Sequence, residues 1–333
     1  MRARQLLIPA ALCYGLATVA VQGQTPARHR LNPVIDLLEQ KKAVFGVYNP
    51  ANPTGRGRGG VTVPIDPKDI KAPIARAREA LAYAKADFLF NGTFEESVDR
   101  AIGPYGEFVK ATAEAGALSA TPYPHFPHPL IVKTAKIAPD YATAVSNISR
   151  ELNLGVSGIM FVETESAEEV RAGLAAMRFK SKGGTRPDAV GGAPAYWGMS
   201  EKDYRAKADL WPLNPDGELL NWTIVESKEG LAHVREIAAV KGIGVLWPGA
   251  GTLRGVFSTT NAAGERVLDQ AGWENAIQTV LAACKEFHVP CGFPATPNDI
   301  EMRMKQGFSV FVMNWSEAGF AAVDLGRAAS QRK

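Results

Sequence analysis

Leu219–Gly255 reads LLNWTIVESKEGLAHVREIAAVKGIGVLWPGAGTLRG, and the order of its parts decides the fold. Leu219–Val225 is an apolar, β-rich run that stops on an acid, Glu226. Leu231, Val234, Ile237 and Ala238 follow at helical spacing. A second apolar run, Ile243–Trp247, breaks into the glycine loop Pro248-Gly249-Ala250-Gly251. Strand, crossover helix and strand form the unit from which parallel sheets are built. When such units close into a barrel, the carboxyl ends of all strands share one face, and ligands bind there. Glu226 and the glycine loop are both expected on that face.

The same alternation extends outward from this stretch. Strands are expected at Ala43–Tyr48, Asp87–Phe90, Ala117–Thr121, Val156–Val162, Pro290–Pro294 and Phe308–Met313. Helical patterns lie between them, one opening with a capping box, Ser166 to Glu169, and one broken around Gly103-Pro104. Eight alternations predict a (β/α)8 TIM barrel over residues 43–330, with an open doubly wound sheet as the alternative. Residues 24–42 read as a linker and first helix. Asn49–Pro67, rich in Gly, Pro and Arg, reads as a loop.

Residues 1–23 carry a basic start (Arg2, Arg4), an apolar run (Leu6–Val21) and a small-residue cleavage site, the pattern of an export signal. The expected location is periplasmic or secreted. Removal of those residues leaves 310 of 333, and the loss of Arg2 and Arg4 lowers the formal net charge from +3 to +1. A near-neutral balance gives no reason to expect nucleic acid as partner, and no later run is long and apolar enough to span a membrane. Cys284 and Cys291 either pair, as an oxidising compartment permits, or sit as buried thiols, the commoner case. No zinc-type spacing and no phosphate-binding glycine motif occurs. Pro122–Pro129 (PYPHFPHP) is too proline-rich for regular structure and sets His125 and His128 on a loop at the carboxyl end of the expected third strand, where a near-neutral titrating group serves as base or ligand.

From about Ala86 to Arg327 the chain resembles the HpcH/HpaI aldolase and citrate lyase family. The resemblance is carried by GIMFVETESAEEVRAGLAAMRF (Gly158–Phe179), Gly184-Thr185-Arg186, WTIVES at the fifth strand, GIGVLWPGAGTLRG at the sixth and VPCGFPATPNDIEMRMKQGFSVFVM (Val289–Met313). It implies a barrel of the phosphoenolpyruvate/pyruvate-binding type, and an oligomer. It also implies cleavage or formation of a C–C bond next to a 2-keto acid, assisted by a divalent ion (Mg²⁺, Mn²⁺ or Co²⁺) on a Glu ending the fifth strand and an Asp after the sixth. Glu226 fits the first ligand; Thr252 stands in place of the Asp. Where the family keeps a Glu-His pair after the second strand, this chain has Phe94-Glu95, and near the family's arginine after the third strand it has Thr121. Arg186 fits the family's G-x-R-G loop.

Three functions follow. The first is an exported aldolase-like lyase acting on a small carboxylate: Glu226 binds metal or acts as base, and Glu95 replaces the missing His. His125 or His128 then supplies an imidazole, Arg254 grips the substrate carboxylate, and Arg186, Gly249, Gly251 and Thr252 shape its site. The second is a non-catalytic barrel that binds a small carboxylate. The third is a metal-free glycoside hydrolase, with Glu163 and Glu226 as acid and base and Trp197, Trp211, Trp222 and Trp247 as stacking surfaces.

Overall fold

A short run of Val, Ile, Leu and Phe with both faces apolar can be buried only as a parallel strand covered by helices, and eight such runs organise this chain. The computed structural model describes residues 29–51 and 66–332. The expected export signal and most of the Gly/Arg-rich loop lie outside the described residues. The strands are β1 (Val44–Tyr48), β2 (Leu89–Asn91), β3 (Leu130–Lys133), β4 (Gly158–Phe161), β5 (Leu219–Val225), β6 (Val245–Pro248), β7 (Gly292–Pro294) and β8 (Val310–Met313). Each from β1 to β5 pairs in parallel with the next, and β7 pairs with β8. The ring closes through β8 on β1, Val44 facing Val310, and through a single bridge between Leu246 and Cys291. The expected barrel is therefore the observed one. A two-residue strand, Leu210–Trp211, adds to the outer end of β5, and a hairpin of Ser258–Thr260 with Arg266–Leu268 stands apart from the ring.

The barrel interior is a packed core, not a channel. Phe88, Phe90, Met160, Trp222, Trp247 and Val310 fill it, with Trp222 in ring contact with Phe88, Phe90 and Trp247. The helix Pro33–Glu39, capped by the Asn32 side chain, presses Val34, Ile35 and Leu38 into the amino-terminal end of this core. Arg30, fully buried beside it, donates to the Gly217 and Pro215 carbonyls (3.1 and 2.8 Å) and pairs with Glu39 and Glu218. The floor is thus sealed, and a ligand must approach at the carboxyl ends.

Two expectations are corrected. Ala117–Thr121 is not a strand: residues 117–129 fold back on themselves, with Ser119 and His125 bridged antiparallel, and the third strand is Leu130–Lys133. The proline run therefore precedes β3 and lies at the amino-terminal end of the barrel. The helix Val98–Glu114 also runs unbroken through Gly103-Pro104, because its buried face (Tyr105, Phe108, Val109, Thr112) continues on the far side of the proline. No described helix is long and apolar enough to cross a membrane. Cys284, on the helix Gln270–Glu286, and Cys291, just before β7, form a disulfide, so the buried-thiol alternative does not hold.

Glu151 sits fully buried on the helix Tyr141–Leu152, where its Oε1 accepts a 3.0 Å hydrogen bond from Thr134. Desolvation holds its carboxyl well above the ordinary value of 4.5. Below that value both folded and unfolded chains keep the proton; above it only the unfolded chain releases it. Stability therefore falls as pH rises from the ordinary value toward the raised one, by at most about 1.4 kcal/mol per pH unit. Glu151→Gln keeps the acceptor and cannot ionise. It is expected to flatten this slope and to raise stability at neutral pH by about 1–3 kcal/mol. Urea melts in mildly acidic and neutral buffer check this, and an unchanged slope would mean that Glu151 is ionised in the folded chain.

Candidate active site

Four strands end on the residues that make a small chamber at the carboxyl end of the barrel. β1 ends on Tyr48 and β3 on Lys133; β5 leads into Glu226, and β6 into Pro248-Gly249 and the short helix Ala250–Val256. The chamber holds about 190 Å³. Phe90, Met160, Ile224 and Val312 form its apolar floor, above the packed interior. Such a volume suits a molecule of a few carbons, and an apolar wall carrying a few polar groups is the usual make-up of a small-molecule site.

Glu226, 3% exposed, is held from two sides. Its Oε1 accepts a 2.9 Å hydrogen bond from the backbone N–H of Glu163, a residue with φ of 47°, in the left-handed region that non-glycine residues seldom adopt. On the other side Gly249 lies so close that a Cβ there would sit 2.2 Å from the Glu226 Cβ and 2.6 Å from Oε2. Lys133, whose side chain is 15% exposed, ion-pairs with Glu95 at 2.7 Å. Glu95 lies in the turn Thr93–Glu95 after β2, and Asn91 fixes that turn by accepting from the Thr93 N–H (2.9 Å) and hydroxyl (2.6 Å). Burial pushes the Tyr48 hydroxyl up, against the pull of Lys133 and with that of Glu95. The three groups thus share one electrostatic neighbourhood. Trp247 Nε1 is buried and has no hydrogen-bond partner among the described residues, although Trp247 lines the chamber.

Of the residues expected at the site, Glu226, Gly249, Gly251 and Thr252 line the chamber, and Glu95 reaches its rim through Lys133. The others do not meet there. His125 precedes β3; its Nδ1 is 2.8 Å from the Tyr123 carbonyl, at the opposite end of the barrel. His128, beside it, contacts the Tyr83 carbonyl, and its desolvation lowers the imidazole below its ordinary value. Arg186, in the segment after the helix that follows β4, is fully buried: it donates to Asn153 Oδ1 (2.8 Å), at the turn that leads into β4, and stacks on Phe179, away from the chamber. Arg254 lies two residues beyond Thr252, about 200° around the helix, and its guanidinium covers Trp273 at 4.7 Å. Of the tryptophans expected as sugar-stacking surfaces, Trp197, Trp222 and Trp247 are buried; Trp211 is half-buried and its indole donates to Glu39, which belongs to the helix at the amino-terminal end of the barrel. Glu163 sends its side chain toward Lys136 (3.6 Å).

Sequence reading missed Lys133. The signal was present, an apolar run Leu130–Val132 ending on a lysine, but it was hidden behind Pro129. Lys133, not Thr121, is the residue that ends the third strand. The donors present do not fit a divalent ion. Among the described residues no three His, Cys, Asp or Glu converge. Among the described residues Glu226 is the sole acid lining the chamber, one of its oxygens is engaged by Glu163, and an ammonium shares the space. Hard cations favour several anionic oxygens.

Because Gly249 leaves no room for a Cβ, Gly249→Ala is expected to displace the Glu226 carboxylate, to destabilise the fold by about 1–3 kcal/mol and to abolish carboxylate binding. Urea melts and oxalate titration check this. Comparison with known proteins gives a consistent picture. No curated protein matches the chain. A HpcH/HpaI aldolase/citrate lyase family protein from Burkholderia cenocepacia J2315 shares 19% identity over 90% of this chain and 98% of its own, with a TM-score of 0.61. A HpcH/HpaI aldolase from Desulfitobacterium hafniense DCB-2 shares 16% over 90% and 96%, with a TM-score of 0.57. A citrate lyase beta subunit from M. tuberculosis, complexed with oxaloacetate and magnesium, shares 17% over 78% and 93%, with a TM-score of 0.45. The profile of the HpcH/HpaI aldolase/citrate lyase family, a family of carbon–carbon lyases and aldolases, matches residues 109–311, and the chain belongs to that family.

Proposed function

We propose that this protein is a carbon–carbon lyase of the aldolase type, acting on a small 2-keto acid in the chamber at the mouth of the barrel. The observation that carries this reading is the meeting of Lys133, from β3, and Glu226, from β5, in one small apolar-walled chamber. Retro-aldol cleavage needs a base to take the proton of the hydroxyl being released, and positive charge where the enolate oxygen develops. Glu226, locked by Glu163 and Gly249, is placed as the base; Lys133 supplies the charge, in a low-dielectric setting where it acts strongly. Tyr48 and Thr252 offer hydroxyls to the substrate carboxylate. The family's metal has no step in this scheme, since the donors do not fit one.

The proposal includes export to the periplasm or the exterior. The Cys284–Cys291 disulfide supports an oxidising compartment, where such bonds persist, and residues 1–23 carry the pattern of an export signal. Intact-mass measurement of the secreted protein is expected to place its first residue at Gln24. A chain that retains residues 1–23 in the cytoplasm would overturn this part.

A panel of 4-hydroxy-2-keto acids, followed by release of pyruvate, tests the activity. Glu226→Gln and Lys133→Met are each expected to lower kcat by about 10²–10⁴-fold, with the melting temperature little changed. Oxalate, an enolpyruvate mimic, is expected to raise the melting temperature of the wild-type chain and not of Lys133→Met. A melting shift with oxalate but no pyruvate from any substrate would instead describe a barrel that binds carboxylates without cleaving them.

A further inference from the structure

We infer that Lys133 is a covalent catalyst, whose Nζ condenses with the keto carbon of the substrate to form a protonated imine, with Glu95 carrying the proton. This rests on the lyase reading above and replaces the electrostatic role given there to Lys133 with a bond. Three observations support it. Lys133 ends a rigid strand, and its side chain lies largely out of water in a chamber floored by Phe90 and Met160. Its Nζ is 2.7 Å from a carboxylate, Glu95, held in place by the Asn91-anchored turn. Finally, among the described residues the chamber offers one acid, a donor set that does not fit a divalent ion, so the electron sink that cleavage requires is sought in the protein.

The step balances. The Lys133 ammonium gives one proton to Glu95, leaving a neutral amine and a carboxylic acid. The amine adds to the keto carbon, forming the C–N bond, and a proton passes from nitrogen to the former keto oxygen. Glu95 returns its proton to that oxygen, which leaves as water as the C=N bond forms. Ammonium and ketone thus become protonated imine and water, with charge conserved and Glu95 restored. The cationic nitrogen then accepts the electron pair of the breaking C–C bond. A guanidinium at this position could not do so, because it does not deprotonate.

The test is reductive trapping. The purified protein is incubated with pyruvate and sodium borohydride, with and without a chelator, and its peptides are mapped by mass. The peptide containing Lys133 is expected to gain the mass of pyruvic acid less one oxygen, equally in both samples. Lys133→Arg is expected to gain nothing, and Glu95→Gln to be labelled about a hundredfold more slowly. Absence of the adduct from a wild-type preparation that releases pyruvate would overturn the imine and leave the lyase reading standing. An adduct on a different lysine, or one that the chelator abolishes, would also overturn it. An adduct at Lys133 in a protein that cleaves no substrate would uphold the imine and sink the lyase reading.

Discussion

A ring of eight parallel strands has to fill its own interior, and that constraint places the chemistry of this protein. Trp222 stacks across Phe90 and meets Phe88 and Trp247, so large rings occupy the centre and the Pro33–Glu39 helix closes the floor. Protein interiors pack as densely as organic crystals and leave few voids. Polar side chains can therefore reach a ligand only above the last filled layer, where Tyr48, Lys133, Glu226 and Thr252 emerge. The same packing keeps the chamber small and its floor apolar, and a charge beside an apolar wall is screened less than one in open water.

A small chamber with an apolar floor must account for each of its charges. Glu226 accepts the Glu163 backbone N–H, and Lys133 pairs with Glu95. A buried ion left without a partner would cost several kcal/mol, so the Lys133–Glu95 pair is a condition for having a cation there at all. The family resemblance implies an arginine after the third strand. A lysine keeps its charge but adds a nitrogen that can lose a proton and attack, provided an acceptor is at hand. Glu95 stands where the family resemblance implies a Glu-His pair, and its carboxylate lies 2.7 Å from the Lys133 nitrogen, the position such an acceptor needs. Two departures that look like losses in isolation become one arrangement once β3 is placed.

That placement is also where sequence reading ran out. Glu226 and the glycine loop were legible because long apolar runs stop abruptly on an acid and on glycines, which marks the carboxyl ends of those two strands. Leu130–Lys133 was not legible: a four-residue strand behind Pro127 and Pro129 carries too little periodicity, and Ala117–Thr121 mimics it. His125 was misplaced by the same error, since a loop that precedes a strand lies at the opposite end from one that follows it. Arg254 was read as a neighbour of Thr252 along the chain, whereas helical geometry turns it outward onto Trp273. Arg186 matched a motif, but its guanidinium is enclosed by Phe179, Asn153 and Tyr204.

The disulfide belongs to the same argument. Between β6 and β7 the ring is joined by one bridge, Leu246 to Cys291, whereas β5 and β6 share a register of four residues. This is the thinnest seam in the barrel, and β6 delivers Trp247, Pro248 and Gly249 to the chamber. Cys284 reaches across from the helix Gln270–Glu286 to Cys291 beside that bridge, with its sulfur 3.9 Å from the Leu246 carbonyl. A covalent tie there restrains helix and strand where hydrogen bonding is sparsest. Gly249 can hold the Glu226 carboxylate within van der Waals contact only while β6 stays in register. The bond that closes the seam therefore also steadies the acid at the site.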